Sequence, residues 1–370
     1  MIDAIDLHLL EVPLTQPYRL AFGPVDHYDT IIVELAAADG RRGFGEATLL
    51  TGYTDETLAE SWPLARELAA SLTGLGDAAF AQRVDAITAR APFVATALRS
   101  ALDMLQRHPL LDIDAPLRVP ILGLLQGDGE GALADAFARL HADGYRTVKV
   151  KVGFDVASDV AQVALIQRVV AGRAAIRVDA NQGYDATAAA AFIAGVDPTG
   201  IELFEQPCAA GDWIAHRAAV AAAARTGLPL MLDESIYGLA DIERAALEKA
   251  CSHLKVKLMK FASLDALSAA IERIRALGMR PVLGNGVACD VSCWMEACVA
   301  ARHIDNAGEM NGFLKSKRML LHPPLRFEAG HIVLEPGAHP ALDAGAIAHY
   351  AVAHAAERRV VHAPSSPLRA

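Results

Sequence analysis

The chain has 370 residues, 53% of them hydrophobic, with a formal net charge of -10 and a pI near 5.7. That apolar content supports a large core, and a barrel of about 250 residues would leave roughly a hundred for a second domain. The acidic balance, with no run of basic residues, argues against nucleic acid and anionic membrane as partners, and no uncharged apolar run reaches the ~18 residues of a membrane span. The expected partner is a small molecule.

The opening MIDAIDLHLLEV lacks the basic start and small-residue cleavage site of a secretory leader, so a cytoplasmic enzyme is expected. Residues 1–115 read as an α+β capping domain. IDAIDLHLLEVPL and DTIIVELAAADGRRGFGEATLL alternate in the manner of antiparallel strands, with AADG as a turn. Between them QPYRLAFGPVDHYD is too polar and long for a tight turn and is expected to be a lid-like loop. LLTGYTDET forms a second loop, and Phe22 and Tyr53 are the candidate substrate contacts from these two segments. Three segments with apolar residues at three- and four-residue spacing follow up to Arg107 and predict helices on the sheet.

LLDIDAPLRVP links into a barrel over residues 116–318, whose first strand is expected in VPILGLL. Helical and strand patterns then alternate, with glycine stops at helix ends, as in a parallel α/β fold. Residues 319–370 change character. HPPLRFEAGHIVLEP reads as a hairpin and the final AHAAERRVVHAPSSPLRA as irregular chain, together returning to the cap. The expected fold is a modified TIM-type (β/α)₈ barrel with an α+β cap built from the N-terminal part and the C-terminal tail. The five cysteines include no CxxC pair and read as buried small side chains.

Five apolar runs inside the barrel end in charge: TVKVKVG with Lys149 and Lys151, AAIRVDANQ with Asp179, IELFEQP with Glu205, LPLMLDES with Asp233 and HLKVKLMK with Lys257. From Lys151 onward the successive gaps are 24 to 28 residues, one strand, one helix and two loops. Active sites of such barrels lie at the C-terminal mouth, so these charges are expected in one cavity. A single acid after a strand usually caps the next helix, but five charged strand ends in consecutive units are not explained that way. Three carboxylates without His or Cys form a hard oxygen set suited to Mg²⁺ or Mn²⁺. A substrate carboxylate beside such an ion becomes more negative as its α-carbon loses a proton, and a lysine whose pKa is lowered can take that proton.

The ordered set KVKVG, DANQG, FEQP, LDES and VKLMK, preceded by GFGEA and ALRSALDML, resembles the enolase superfamily and within it the muconate lactonizing enzyme subgroup. Sites of that superfamily pair a Lys or His base with Mg²⁺. The resemblance implies that Asp179, Glu205 and Asp233 bind the ion, that Lys151 and Lys257 are the two acid/base lysines on opposite faces of the substrate, and that Lys149 lowers its neighbour's pKa. It also implies that Asn181 and Glu234 support the metal shell. This chain departs from the pattern where Phe261, Ala262 and Ser263 replace the usual pair of glycines and where the seventh strand lacks a terminal acid. Its eighth strand, GEMNG, keeps half of the acid-x-acid motif that holds a substrate ammonium group in dipeptide epimerases. Glu309 and Asn311 are therefore candidate substrate contacts, with a barrel lysine or Arg302 as the alternative partner of Glu309.

The expected function is racemisation or epimerisation of an amino-acid derivative or dipeptide carrying a carboxylate. Dehydration by β-elimination and cycloisomerisation share its enediolate intermediate but differ in outcome. A Schiff-base aldolase would also use a barrel lysine but leaves the three acids without a purpose, and a non-catalytic scaffold leaves both lysines without one. A symmetric homo-oligomer is expected of such barrels.

Overall fold

The computed structural model describes residues 1–20, 23–50, 56–337 and 339–359. In chain order the cap contributes β1 (Ile2–Leu20), β2 (Gly23–Ala37), β3 (Arg42–Leu49), α1 (Leu58–Leu72), α2 (Asp77–Asp85) and α3 (Pro92–Leu105). There follow β4 (Leu117–Pro120), β5 (Gly123–Leu124), α4 (Gly129–Ala142), β6 (Thr147–Lys151), α5 (Val156–Val170), β7 (Ala175–Asp179), α6 (Ala186–Gly195), β8 (Ile201–Glu205) and α7 (Trp213–Thr226). Next are β9 (Leu230–Leu232), α8 (Leu239–Leu247), β10 (His253–Val256), α9 (Leu258–Phe261), α10 (Leu264–Ala276), β11 (Arg280–Leu283) and α11 (Asp290–His303). The chain closes with β12 (Leu321–His322), β13 (Arg326–Glu328), β14 (His331–Leu334), β15 (Ala341–Leu342), α12 (Ala344–Tyr350) and β16 (Ala351–Arg358).

Alternation in the cap strands buries both faces of a four-stranded sheet ordered β16-β1-β2-β3. Ile5, Leu7, Ile31 and Val33 pack with the cap helices, whereas Leu10, Val12 and Ile32 pack in the cluster shared with the barrel. The GFGEA glycines let β3 lie directly on α3: a Cβ on Gly45 would stand 2.1 Å from the carbonyl oxygen of Ala97.

Two expectations for the cap are corrected. The segment read as a lid loop is largely strand, since β1 runs to Leu20 and pairs Tyr18 with Val25 and Leu20 with Gly23. Polar residues suit a two-stranded ribbon, whose backbone bonds are satisfied without a buried face. The tail read as irregular contains β16, antiparallel to β1. Its alternate alanines, Ala353 and Ala355, pack on the cap core, and alanine's weak strand preference hid the pattern.

In the barrel, seven parallel strands run in the order β5 to β11. The expected first strand is split: β4 pairs antiparallel with β14, and only β5 joins the barrel sheet. The eighth position is an irregular segment at 307–310 that closes the ring through three bonds. Leu122 N donates to the Gly308 carbonyl at 2.9 Å, Gly308 N to Pro120 at 2.9 Å and Glu309 N to Leu283 at 3.0 Å.

Helix capping leaves the strand-end acids unoccupied by that task. Asp155, Asp185 and Asp212 cap α5, α6 and α7 by accepting from the backbone of Ser158, Ala188 and Ala215. Each such cap is worth about 1 kcal/mol. Asp179 and Glu205 instead end their strands fully buried. All five cysteines are free thiols, four of them buried and Cys251 partly so. No described helix is long and apolar enough to cross a membrane.

Candidate active site

Asp179, Glu205 and Asp233 stand at or just beyond the ends of adjacent strands β7, β8 and β9 and turn into the barrel. Register pairs Asp179 with Glu205 and Glu205 with Met231, two residues before Asp233. Two lysines link the three acids. Lys149 Nζ lies 2.7 Å from Asp179 Oδ2 and 2.9 Å from Glu205 Oε2, while Lys255 Nζ lies 3.0 Å from Glu205 Oε1 and 3.6 Å from Asp233 Oδ2. Even so, Glu205 Oε2 accepts no aligned hydrogen bond, and neither does the buried Oε2 of Glu234.

Lys151 and Lys257 lie at the second and sixth of the eight ring positions, across the mouth from each other. Lys151 Nζ donates to Asp179 Oδ2 at 2.7 Å and to Asn181 Oδ1. Lys257 Nζ lies 2.8 Å from Asp233 Oδ1 and donates to Oδ2 at 2.9 Å. Asn181 joins the two sides by donating through Nδ2 to Glu234 Oε1 at 2.9 Å. Its backbone N–H bonds Asp179 Oδ1 at 2.8 Å.

Glu309 resolves one alternative left open by the sequence. Its Oε2 accepts from Lys149 at 3.0 Å and from Lys255, so barrel lysines occupy that oxygen. Arg302 instead donates to the carbonyls of Pro109 and Asp112. Asn311 donates to the Leu122 carbonyl at 3.1 Å, and its Oδ1 is buried without a hydrogen-bond partner. Phe22 and Tyr53 lie outside the described residues.

Sequence reasoning missed Lys255 and Lys260. Lys255 precedes Lys257 by two residues, as Lys149 precedes Lys151, and period two on a strand points both members of each pair inward. The repeated lysine-x-lysine pattern was the available signal. Lys260, on α9, donates to the Asp233 carbonyl at 2.9 Å and sits 4.3 Å from the centre of the Tyr237 ring.

Burial alone would neutralise these groups, but their mutual charges keep most of them ionised. Burial opposes the ionisation of Asp179, yet Lys149, Lys151 and Lys255 bring it to about 2. Against the same effect, Lys257, Lys255 and Lys260 hold Asp233 well below the usual carboxylate range. Glu205, buried beside Asp179, is pushed up in spite of Lys149 and Lys255. Lys149 is held well above the ordinary lysine range, because Asp179, Glu205 and Glu309 outweigh its burial. Glu234 rises to about 7 through burial and the charges of Asp233 and Asp179.

The chain is similar to known proteins over nearly its whole length. Residues 4–125 match the mandelate racemase / muconate lactonizing enzyme N-terminal domain, and residues 132–338 the enolase C-terminal domain-like family. The L-Lys-D/L-Arg epimerase of Methylococcus capsulatus is 36% identical over 269 residues, 68% of this chain and 73% of that protein. The crystal structure of N-succinyl Arg/Lys racemase from Bacillus cereus superposes with a TM-score of 0.87 at 22% identity, covering 96% of this chain and all of that one. The dipeptide epimerase of Cytophaga hutchinsonii, complexed with Mg and the dipeptide D-Ala-L-Val, gives a TM-score of 0.85 at 20% identity over 96% and 99% of the two chains. On these matches the chain belongs to the enolase superfamily, in the mandelate racemase and muconate lactonizing enzyme family.

Proposed function

We propose that the protein racemises or epimerises an amino-acid derivative, an N-acylated amino acid or a dipeptide, by removing and returning the proton α to its carboxylate. The observation that carries this reading is the placement of Lys151 and Lys257 across the barrel mouth, each bonded to an acid of the central cluster. Family membership supports it, as do relatives named as epimerases and racemases.

Asp179, Glu205 and Asp233 are the residues that would hold a divalent cation, Mg²⁺ in the first instance and Mn²⁺ as a substitute. The donor set fits such an ion: it is all carboxylate oxygen, gathered on adjacent strands, and one oxygen of Glu205 is buried without an aligned donor. When bound, the cation supplies positive charge that binds the substrate carboxylate and offsets the charge growing on it during proton loss. Asn181 and Glu234 orient the acids around it.

Lysine chemistry completes the cycle. Lys151 as a neutral amine takes the α-proton from one configuration, leaving an enediolate. The Lys257 ammonium then returns a proton to the opposite face of the same carbon. The other configuration runs through the same two groups with their roles exchanged. Lys149 and Lys255 stay charged beneath them and balance Glu205 and Glu309. The expected setting is cytoplasmic.

The test is proton NMR in D₂O with Mg²⁺ over a panel of N-acyl amino acids and dipeptides. Loss of the α-proton signal together with loss of optical activity at that carbon is the expected result. Formation of a carbon–carbon double bond with loss of water would overturn racemisation in favour of elimination, and absence of exchange across the panel would overturn both.

A further inference from the structure

We infer that Asp159 and Glu296, two buried acids outside the reaction centre, are positioning residues that hold Lys151 and Lys257 separately, so that each proton-transfer arm is fixed by its own clamp. The inference rests on the two-lysine reading above.

Asp159 lies in the first turn of α5 and is 6% exposed. Its Oδ2 accepts from Gly153 N at 3.0 Å, Phe154 N at 2.9 Å and the Tyr184 hydroxyl at 2.6 Å. These donors belong to the turn that leaves Lys151 and to the loop that follows Asp179. The two loops touch backbone to backbone, since a Cβ on Gly183 would stand 2.3 Å from the Gly153 carbonyl oxygen. Val152 N donates to the Asp179 carbonyl at 2.9 Å. The backbone beyond Lys151 is therefore tied on successive residues, and the carboxylate of Asp159 gathers the ties into one point.

Glu296 plays the corresponding part on the opposite side. It is 1% exposed on α11, and its Oε1 accepts from Leu258 N, the residue after Lys257, at 2.8 Å. Thr96 of the cap donates to the Leu258 carbonyl at 3.3 Å. Asp159 and Glu296 stand on α5 and α11, which follow different barrel strands, so loosening one clamp leaves the other in place. A reacting-group displacement of about 1 Å can cost about a hundredfold in rate, so a partial loosening should cost about tenfold.

Racemisation rates cannot separate the two arms, because both directions share one equilibrium constant. Exchange of the α-proton can, because each enantiomer presents that proton to one lysine. The experiment measures initial deuterium incorporation from each enantiomer of an exchanging substrate, with Mg²⁺, for wild type, Asp159→Asn, Tyr184→Phe and Glu296→Gln. Asp159→Asn is expected to lower exchange of one enantiomer about tenfold relative to the other. Tyr184→Phe, which removes one hydroxyl, should shift the ratio in the same direction by a smaller factor, and Glu296→Gln in the opposite direction. Equal losses from both enantiomers in Asp159→Asn and Tyr184→Phe, or shifts of the same direction on both sides, would overturn the positioning roles. If wild type exchanges neither enantiomer of any substrate, the two-lysine reading itself fails, which is a separate outcome.

Discussion

Lys149 and Lys151, two residues apart on one strand, both place their ammonium nitrogens 2.7 Å from a single atom, Oδ2 of Asp179. Only Lys149 is enclosed on all sides, with Glu205 and Glu309 as further neighbours. The two lysines therefore serve different ends: the inner one balances buried charge, and the outer one, 31% exposed at its side chain, faces the mouth where chemistry occurs.

Replacing Lys149 should consequently show up in stability before activity is considered. Lys149→Met leaves three buried carboxylates short of an ammonium, and breaking a buried pair from one side costs about 3 to 5 kcal/mol. Thermal unfolding in EDTA should fall sharply for this variant, with part of the loss recovered by Mg²⁺. An unchanged melting temperature would mean that the acids do not depend on Lys149.

Divalent cations should stabilise the wild-type fold. At a free Mg²⁺ concentration a hundred times its Kd, binding to the folded state alone adds about 2.7 kcal/mol. Glu205→Gln and Asp233→Asn should each abolish most of that increment in calorimetry, whereas a change at the exposed Glu328 should leave it intact.

A pH effect follows from Glu46, the acid of GFGEA, which joins the cap to the barrel by accepting from Cys289 N at 2.7 Å and Ser292 N at 2.9 Å. Burial raises Glu46 from 4.5 to about 6, and Asp290 and Glu296 rise for the same reason to about 6 and about 7. Across this window the folded chain binds more protons than the unfolded chain, so these groups make stability fall as pH rises. Their favourable contribution is full below about pH 4 and lost above about pH 7. Glu46→Gln removes one such group, so its destabilisation relative to wild type should be about 1 kcal/mol smaller at pH 8 than at pH 5. Urea midpoints at the two pH values check the sign.

Gly45→Ala tests the contact between β3 and α3. The added Cβ meets backbone, at 2.1 Å from the Ala97 oxygen and 2.7 Å from Ala101 N, so moving the Ser100 hydroxyl, itself 2.3 Å away, cannot relieve the clash. Overpacking of this kind costs about 1 to 3 kcal/mol, and the upper end is expected. A denaturant midpoint equal to wild type would show that the helix can retreat without loss.

The amino-acid order by itself determined the repeating unit, the class of barrel and the angular order of Lys151, Asp179, Glu205, Asp233 and Lys257. Those follow from two short-range regularities, the alternation of side chains along a strand and the nearly constant length of a strand-helix unit. It was silent on which oxygen each lysine meets, and it left Glu309 with two classes of partner. Lys255 went unnoticed because its meaning depends on Glu205 and Glu309, which are 50 and 54 residues away in sequence. The division of VPILGLL between two sheets, the extension of the β1–β2 ribbon and the return of Ala351–Arg358 to β1 were likewise decided by tertiary structure. Strand pairing satisfies backbone groups with whatever chain lies alongside, and a local pattern carries no record of that neighbour.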